Sequence, residues 1–92
     1  MEAARGKVLV VDDEPTIADV VSRYLIRAGY EARVAATGQD ALVRAAADHP
    51  DVVVLDLMLP DLDGLEVMRR LRKQNGKRLA IILLTARGEE SD

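Results

Sequence analysis

Apolar residues in this chain fall into short unbroken runs and into stripes spaced for one face of a helix. Val52-Val53-Val54-Leu55 is the cleanest run, branched and without alternation, and it predicts a strand buried on both faces at the centre of a parallel sheet. Lys7 to Val11 reads as an earlier strand of the same kind, and Leu79 to Leu84 as a later one, also buried. Glu31 to Ala35 is shorter, flanked by charge, and reads as an edge strand. Between the first two strands, Pro15 suits the first helical turn. Ile17, Val20, Val21, Tyr24, Leu25 and Ala28 then form a core-facing stripe that Gly29 should stop. Thr37 is placed as the cap of a helix over Gln39 to Asp48 that buries Ala41, Leu42, Ala45 and Ala46 and ends at His49-Pro50. Asp63 and Glu66 have the spacing of a reciprocal capping box, with Leu62 and Val67 as its staple. The helix they open runs from about Gly64 to Gln74, turns Leu65, Val67, Met68 and Leu71 inward, and closes at Asn75-Gly76.

Strands alternating with helices predict an α/β fold with a parallel sheet and right-handed crossovers. One reversal of direction gives the strand order 2-1-3-4, which sets the ends of the first and third strands side by side. Asp12 and Asp13 follow the first strand and Asp56 ends the third, so the three acids are expected to share the crevice at the topological switch point.

Composition narrows the classes. Ninety-two residues make one small domain, and 49% hydrophobic with 32% charged residues suits a globular core under a polar surface. No apolar stretch approaches the ~20 residues of a membrane span, and no apolar segment of a leader follows Met1, so a cytoplasmic location is expected. The absence of cysteine excludes disulfides and Cys-based zinc sites. A net charge of −3 and only Tyr24 and Tyr30 as aromatics argue against direct nucleic-acid binding by this segment.

The chemistry then concentrates on the acids. Carboxylates in one crevice repel, and each unit of pKa displacement costs about 1.4 kcal/mol, which a bound cation relieves. All-oxygen ligation with few protein ligands suits Mg²⁺. The first strand-to-helix turn has neither the G-x-G-x-x-G of a dinucleotide site nor a P-loop. With Thr85 offering a hydroxyl at the end of the fourth strand, the parts are those of aspartyl-phosphate chemistry.

Asp12-Asp13, Asp56 with Leu59-Pro60-Asp61-Leu62-Asp63-Gly64 behind it, and Leu84-Thr85-Ala86 resemble, in order and spacing, the receiver domain of bacterial response regulators. The stretch from Asp56 to Arg72 is most similar to the OmpR/PhoB subfamily, which carries a DNA-binding output domain after the receiver. The resemblance implies a flavodoxin-like three-layer sheet. It implies that Asp56 accepts a phosphoryl group from a sensor histidine kinase, and that Asp13, Asp56 and the backbone carbonyl of Met58 bind Mg²⁺ with help from Asp12. It further implies that Thr85 senses the phosphate and that Met58 and Arg87 tune its lifetime. Family members continue with a helix, a fifth strand bearing a lysine and a switch aromatic, and a last helix. Residues 1–92 are therefore expected to be the N-terminal part of a receiver, ending after the fourth strand. The unpaired outer edge of that strand is expected to drive self-association.

Plainer readings attach to single motifs. Asp12-Asp13 alone reads as helix capping, and Thr85 alone as an ordinary strand end. Asp61-Leu62-Asp63-Gly64 puts glycine at the fourth position of a calcium loop instead of the sixth, so turn chemistry explains it better. His49 reads as solvated at a helix end, and Arg69, Arg70, Arg72, Lys73, Lys77 and Arg78 as a solvated basic face outside the site. Two alternatives to a signalling phosphoacceptor stay open: an aspartyl-nucleophile phosphatase, for which Met58 stands where a second acid is wanted, and a pseudo-receiver fragment that folds without switching.

Overall fold

The computed structural model describes residues 5–76 and 78–84. Its elements are β1 (Lys7–Val11), α1 (Pro15–Arg27), β2 (Glu31–Ala35), α2 (Gly38–Asp48), β3 (Val52–Asp56), α3 (Gly64–Asn75) and β4 (Ala80–Leu84). The strands form one parallel sheet in the order β2-β1-β3-β4. This is the order expected from the alternation of elements.

Because side chains alternate across a sheet, the central strands β1 and β3 each feed two cores. On one face Leu9, Val11, Val53 and Leu55 pack with Ala41 and Ala45 of α2 and Val67 and Leu71 of α3. On the other, Val8, Val10 and Val54 meet Ala18 of α1, with Val21 and Leu25 partly buried beside them. Among the described residues, two helices thus cover one face of the sheet and one covers the other. Burying a Val or Leu side chain contributes about 1.5–3 kcal/mol relative to exposure, so β1 and β3 supply most of the driving force.

That asymmetry corrects several expectations. In α1 the side chains of Ile17, Val20 and Tyr24 are exposed, as is Ala28. The helix turns small Ala18 to the sheet, with Val21 and Leu25 partly buried beside it. Ala46 in α2 and Leu65 in α3 are also exposed. β4 is less buried than a two-sided strand should be, with Ile82 and Leu83 exposed, because among the described residues it has β3 on one side alone.

Helix ends follow their local chemistry. Glu14 occupies the cap of α1 without a side-chain bond, and Pro15 takes the first turn. At the other end the Tyr30 N–H donates to Leu25 O at 2.9 Å and the Gly29 N–H to Ile26 O at 3.0 Å, with Gly29 at φ 99°, a Schellman closure. Thr37 caps α2, its hydroxyl accepting from the Asp40 N–H at 3.0 Å, and His49 ends the helix in the left-handed region at φ 51° before Pro50. Asp63 caps α3 by accepting from the Leu65 N–H at 3.0 Å. The reciprocal half of the capping box does not form. Glu66 instead pairs with Arg69 at 2.7 Å and Arg70 at 2.9 Å, because two guanidinium groups one turn on outcompete a backbone N–H. Arg72 turns away from that face and donates to the Leu79 carbonyl at the entry to β4.

Gly64 is where the fold tolerates least. A Cβ there would lie 2.6 Å from Leu57 Cα and 2.8 Å from the Asp56 carbonyl oxygen, both backbone atoms that cannot rotate aside. Gly64→Ala should therefore lower unfolding stability by about 2–3 kcal/mol, read as a fall in the urea midpoint with an unchanged slope.

Candidate acidic site at the ends of the first and third strands

β1 and β3 are paired in register, Val11 opposite Leu55, so the next residues along, Asp12 and Asp56, emerge side by side. Asp13 follows Asp12 out of the sheet. Each of the three offers a carboxylate oxygen, and these oxygens all lie within 4.8 Å of one another. Asp12 and Asp56 are 4% and 8% exposed, whereas Asp13 faces solvent.

Each buried acid takes a backbone donor from two residues on. The Glu14 N–H donates to Asp12 Oδ1 at 2.9 Å, and the Met58 N–H to Asp56 Oδ1 at 3.1 Å. Both are Asx-type turns, which hold the carboxylate at the strand end while the chain turns away. For Asp12 the bond is not enough. Burial raises its pKa above the ordinary carboxylate value; the Glu14 N–H lowers it, and the charges of Asp56 and Asp13 raise it further. Buried carboxylates that repel, with free lone pairs and no cationic side chain among the described residues within salt-bridge reach of them, have the donor chemistry of a hard divalent cation site.

The loop from β3 to α3 closes tightly over this arrangement. The Gly64 N–H donates to the Leu57 carbonyl at 3.2 Å, and Met58 makes an isolated antiparallel bridge with Asp63. The Met58 side chain is exposed, and its contact with Asp56 is through its backbone N–H. Beyond Met58, both oxygens of Asp61 accept backbone N–H groups of α2, from Gly38 at 2.8 Å and Gln39 at 2.9 Å. These bonds, Gln39's first, hold the Asp61 carboxyl below the usual carboxylate range.

Asp12, Asp13 and Asp56 are thus brought together, with Met58 two residues along the chain from Asp56. Thr85 and Arg87 lie outside the described residues. The contact that the sequence did not reveal is Asp61 on α2. Its only trace was a second acid in Asp61-Leu62-Asp63, one more than the capping of α3 requires, and its donors lie more than twenty residues away. In α3, Arg69 and Arg70 are engaged with Glu66 and Arg72 with the Leu79 carbonyl, apart from the three acids.

The sequence pattern of the family described as "Response regulator receiver domain" matches residues 8–92. The chain belongs to that family. It is 46% identical over 86 residues to the alkaline phosphatase synthesis transcriptional regulatory protein PhoP of Bacillus subtilis (strain 168), covering 94% of this chain and 35% of the relative. It is 47% identical over 85 residues to the probable transcriptional regulatory protein TcrX of Mycobacterium tuberculosis, covering 92% of this chain and 36% of the relative. The chain therefore spans little more than a third of the length of the curated relatives it matches. Among solved structures, the response regulator TrrA of Thermotoga maritima, in complex with Mg²⁺-BeF, superposes with a TM-score of 0.82 at 42% identity, over 87% of this chain and 69% of that one. The receiver domain of the Francisella response regulator 1452 gives 0.82 at 38% identity, over 89% and 67%. The fold is therefore the flavodoxin-like receiver fold, and the chain is a receiver domain akin to those of OmpR/PhoB-like transcriptional response regulators. Among the described residues, no helix is long and apolar enough to cross a membrane.

The raised Asp12 pKa has a definite sign in stability. The folded state holds this proton more tightly than the unfolded chain, so its stabilising share is complete below about pH 3.8 and is lost as pH rises through the raised folded value. In EDTA, Asp12→Asn should melt above the wild type at pH 7. The difference should close as the pH is lowered below 3.8, in a series of thermal melts.

Proposed function

We propose that this chain is the phosphoacceptor of a two-component response regulator, taking a phosphoryl group on Asp56 from a phosphohistidine of a sensor histidine kinase. The observation that carries this reading is the cluster of Asp12, Asp13 and Asp56, with carboxylate oxygens within 4.8 Å of one another, in a chain of the receiver family. Asp56 is the nucleophile: its oxygen bonds to phosphorus as the bond to the histidine nitrogen breaks, leaving an acyl phosphate on the aspartate and the imidazole released. Asp13, Asp56 and the Met58 carbonyl would hold Mg²⁺, with Asp12 acting through water or a hydrogen bond. When bound, the ion supplies positive charge against the acids and the incoming phosphate. The Met58 N–H holds Asp56 in place through the Asx turn, and the Glu14 N–H does the same for Asp12.

Thr85 is assigned the hydroxyl that bonds the phosphate, and Arg87 with Met58 the tuning of its lifetime. The role is signalling, with at most slow self-dephosphorylation, and its setting is the cytoplasm. In the longer protein that such a receiver serves, the output would be transcriptional, a reading supported by relatives described as transcriptional regulators.

The 92-residue chain incubated with millimolar Mg²⁺ and a small phosphodonor such as acetyl phosphate should gain the mass of one phosphoryl group. Asp56→Asn should gain none, and EDTA should suppress the wild-type gain. A wild-type chain that stays unmodified would instead favour the pseudo-receiver, and multiple turnovers of a phosphomonoester dependent on Asp56 the phosphatase.

A second reading concerns assembly. β4 has one partner strand among the described residues and carries exposed Ile82 and Leu83, and an unpaired apolar edge recruits another chain. The 92-residue chain is proposed to associate with a second copy along that edge. Sedimentation at micromolar concentration should show a dimer that Ile82→Lys reduces to monomer; a wild-type monomer would remove the idea.

A further inference from the structure

Among the described residues outside the three acids, Asp61 reaches from the β3–α3 loop to bond α2 through both its oxygens. The first turn of a helix leaves N–H groups without intrahelical acceptors. In α2 those of Gly38 and Gln39 are taken by the two oxygens of Asp61, at 2.8 and 2.9 Å, and that of Asp40 by Thr37 at 3.0 Å. The helix is therefore capped twice, once by its own Thr37 and once by a residue from the loop after β3. Charge complements this, since a carboxylate at a helix N-terminus faces the positive end of the dipole.

The consequence runs back along the loop. From Asp61, three residues lead to Leu57, and between them lies Met58, whose N–H holds the Asp56 carboxylate. Leu59 and Leu62 are only partly buried against the core, so apolar packing alone leaves this turn loosely held. Asp61 supplies the polar anchor on the outer side, opposite the Gly64 N–H to Leu57 carbonyl bond on the inner side. The approach of the two segments is close: a Cβ at Gly38 would lie 2.8 Å from Val67 Cγ2 and 3.0 Å from Leu62 Cβ. The far ends of α2 and α3 are joined separately, by the Asn75 side-chain amide donating to the Ala45 carbonyl at 3.1 Å.

We propose that Asp61 is a positioning residue for the acidic site: by capping α2 from the β3–α3 loop, it fixes the turn that carries the Met58 backbone and the Asp56 carboxylate bonded to it. The importance of that turn to a metal rests on the function proposed above; the fastening itself does not.

Amide exchange followed by NMR in EDTA, and then a Mg²⁺ titration on the same samples, separate the two. Asp61→Ala should speed exchange of the Gly38, Gln39 and Met58 amides about tenfold and weaken Mg²⁺ binding about three- to tenfold, as for loss of charge-assisted hydrogen bonds. Asp61→Asn keeps one acceptor oxygen and should fall between. Asn75→Ala removes a bond between the same two helices at their other end, so it should lower stability while leaving Met58 exchange and Mg²⁺ affinity at wild-type values. Wild-type Met58 exchange in folded Asp61→Ala, unchanged Mg²⁺ affinity in that variant, or an equal effect of Asn75→Ala would overturn the proposal. If the wild type itself takes up no Mg²⁺, the metal reading falls, and Met58 exchange alone decides the role of Asp61.

Discussion

Like charges held together at the ends of paired strands are the constraint around which this domain is built. Asp12 and Asp56 cannot separate, because Val11 and Leu55 beneath them are fully buried and locked in register. Nor can they escape into water, since both are largely covered. Desolvation and mutual repulsion oppose the charged state of Asp12, and the apolar cores on the two faces of the sheet must outweigh that cost. A site that strains its own scaffold is ready to gain from a cation, because the ion restores what burial removed.

Among the described residues the scaffold meets the strain with backbone donors, the Glu14 and Met58 N–H groups. At both strand ends an N–H two residues on is turned back to the carboxylate, and the same local device recurs at Asp63 to begin α3. Such bonds orient an acid without neutralising it. Arg69, Arg70 and Arg72 of α3 are occupied elsewhere, with Glu66 and the Leu79 carbonyl.

Much of this was legible in the residues themselves. Unbroken branched runs identified β1 and β3, and the alternation with helices gave the parallel order that sets Asp12 and Asp56 together. Pro15, Thr37, Asp63 and Gly76 marked helix ends because each acts through atoms a few positions away. What periodicity could not convey was how many helices share each face. Periodicity predicts a wholly inward stripe in α1, yet Ile17, Val20 and Tyr24 are exposed, and among the described residues no second helix lies over that side of the sheet. Asp61 was hidden for a different reason. Its partners Gly38 and Gln39 are adjacent only after α2 and α3 have packed, and nothing in a local pattern records a bond across that distance.

The position of β1 bears on how the chain acquires its structure. It is the first strand in sequence and yet lies inside the sheet, bonded on one edge to β2 and on the other to β3. A chain emerging from its N-terminus can form β1, α1 and β2 as a unit, but the second edge of β1 waits for Val52. Until then a strand with four buried residues in the finished domain is half open, and so is the Lys7 N–H that later donates to Asp51 at 2.8 Å. The acidic site cannot precede that closure, because Asp56 is the last residue of the strand that completes it. Closing the centre of the sheet and bringing Asp12 beside Asp56 therefore depend on the same long-range pairing of β1 with β3, which carries a loop-closure entropy.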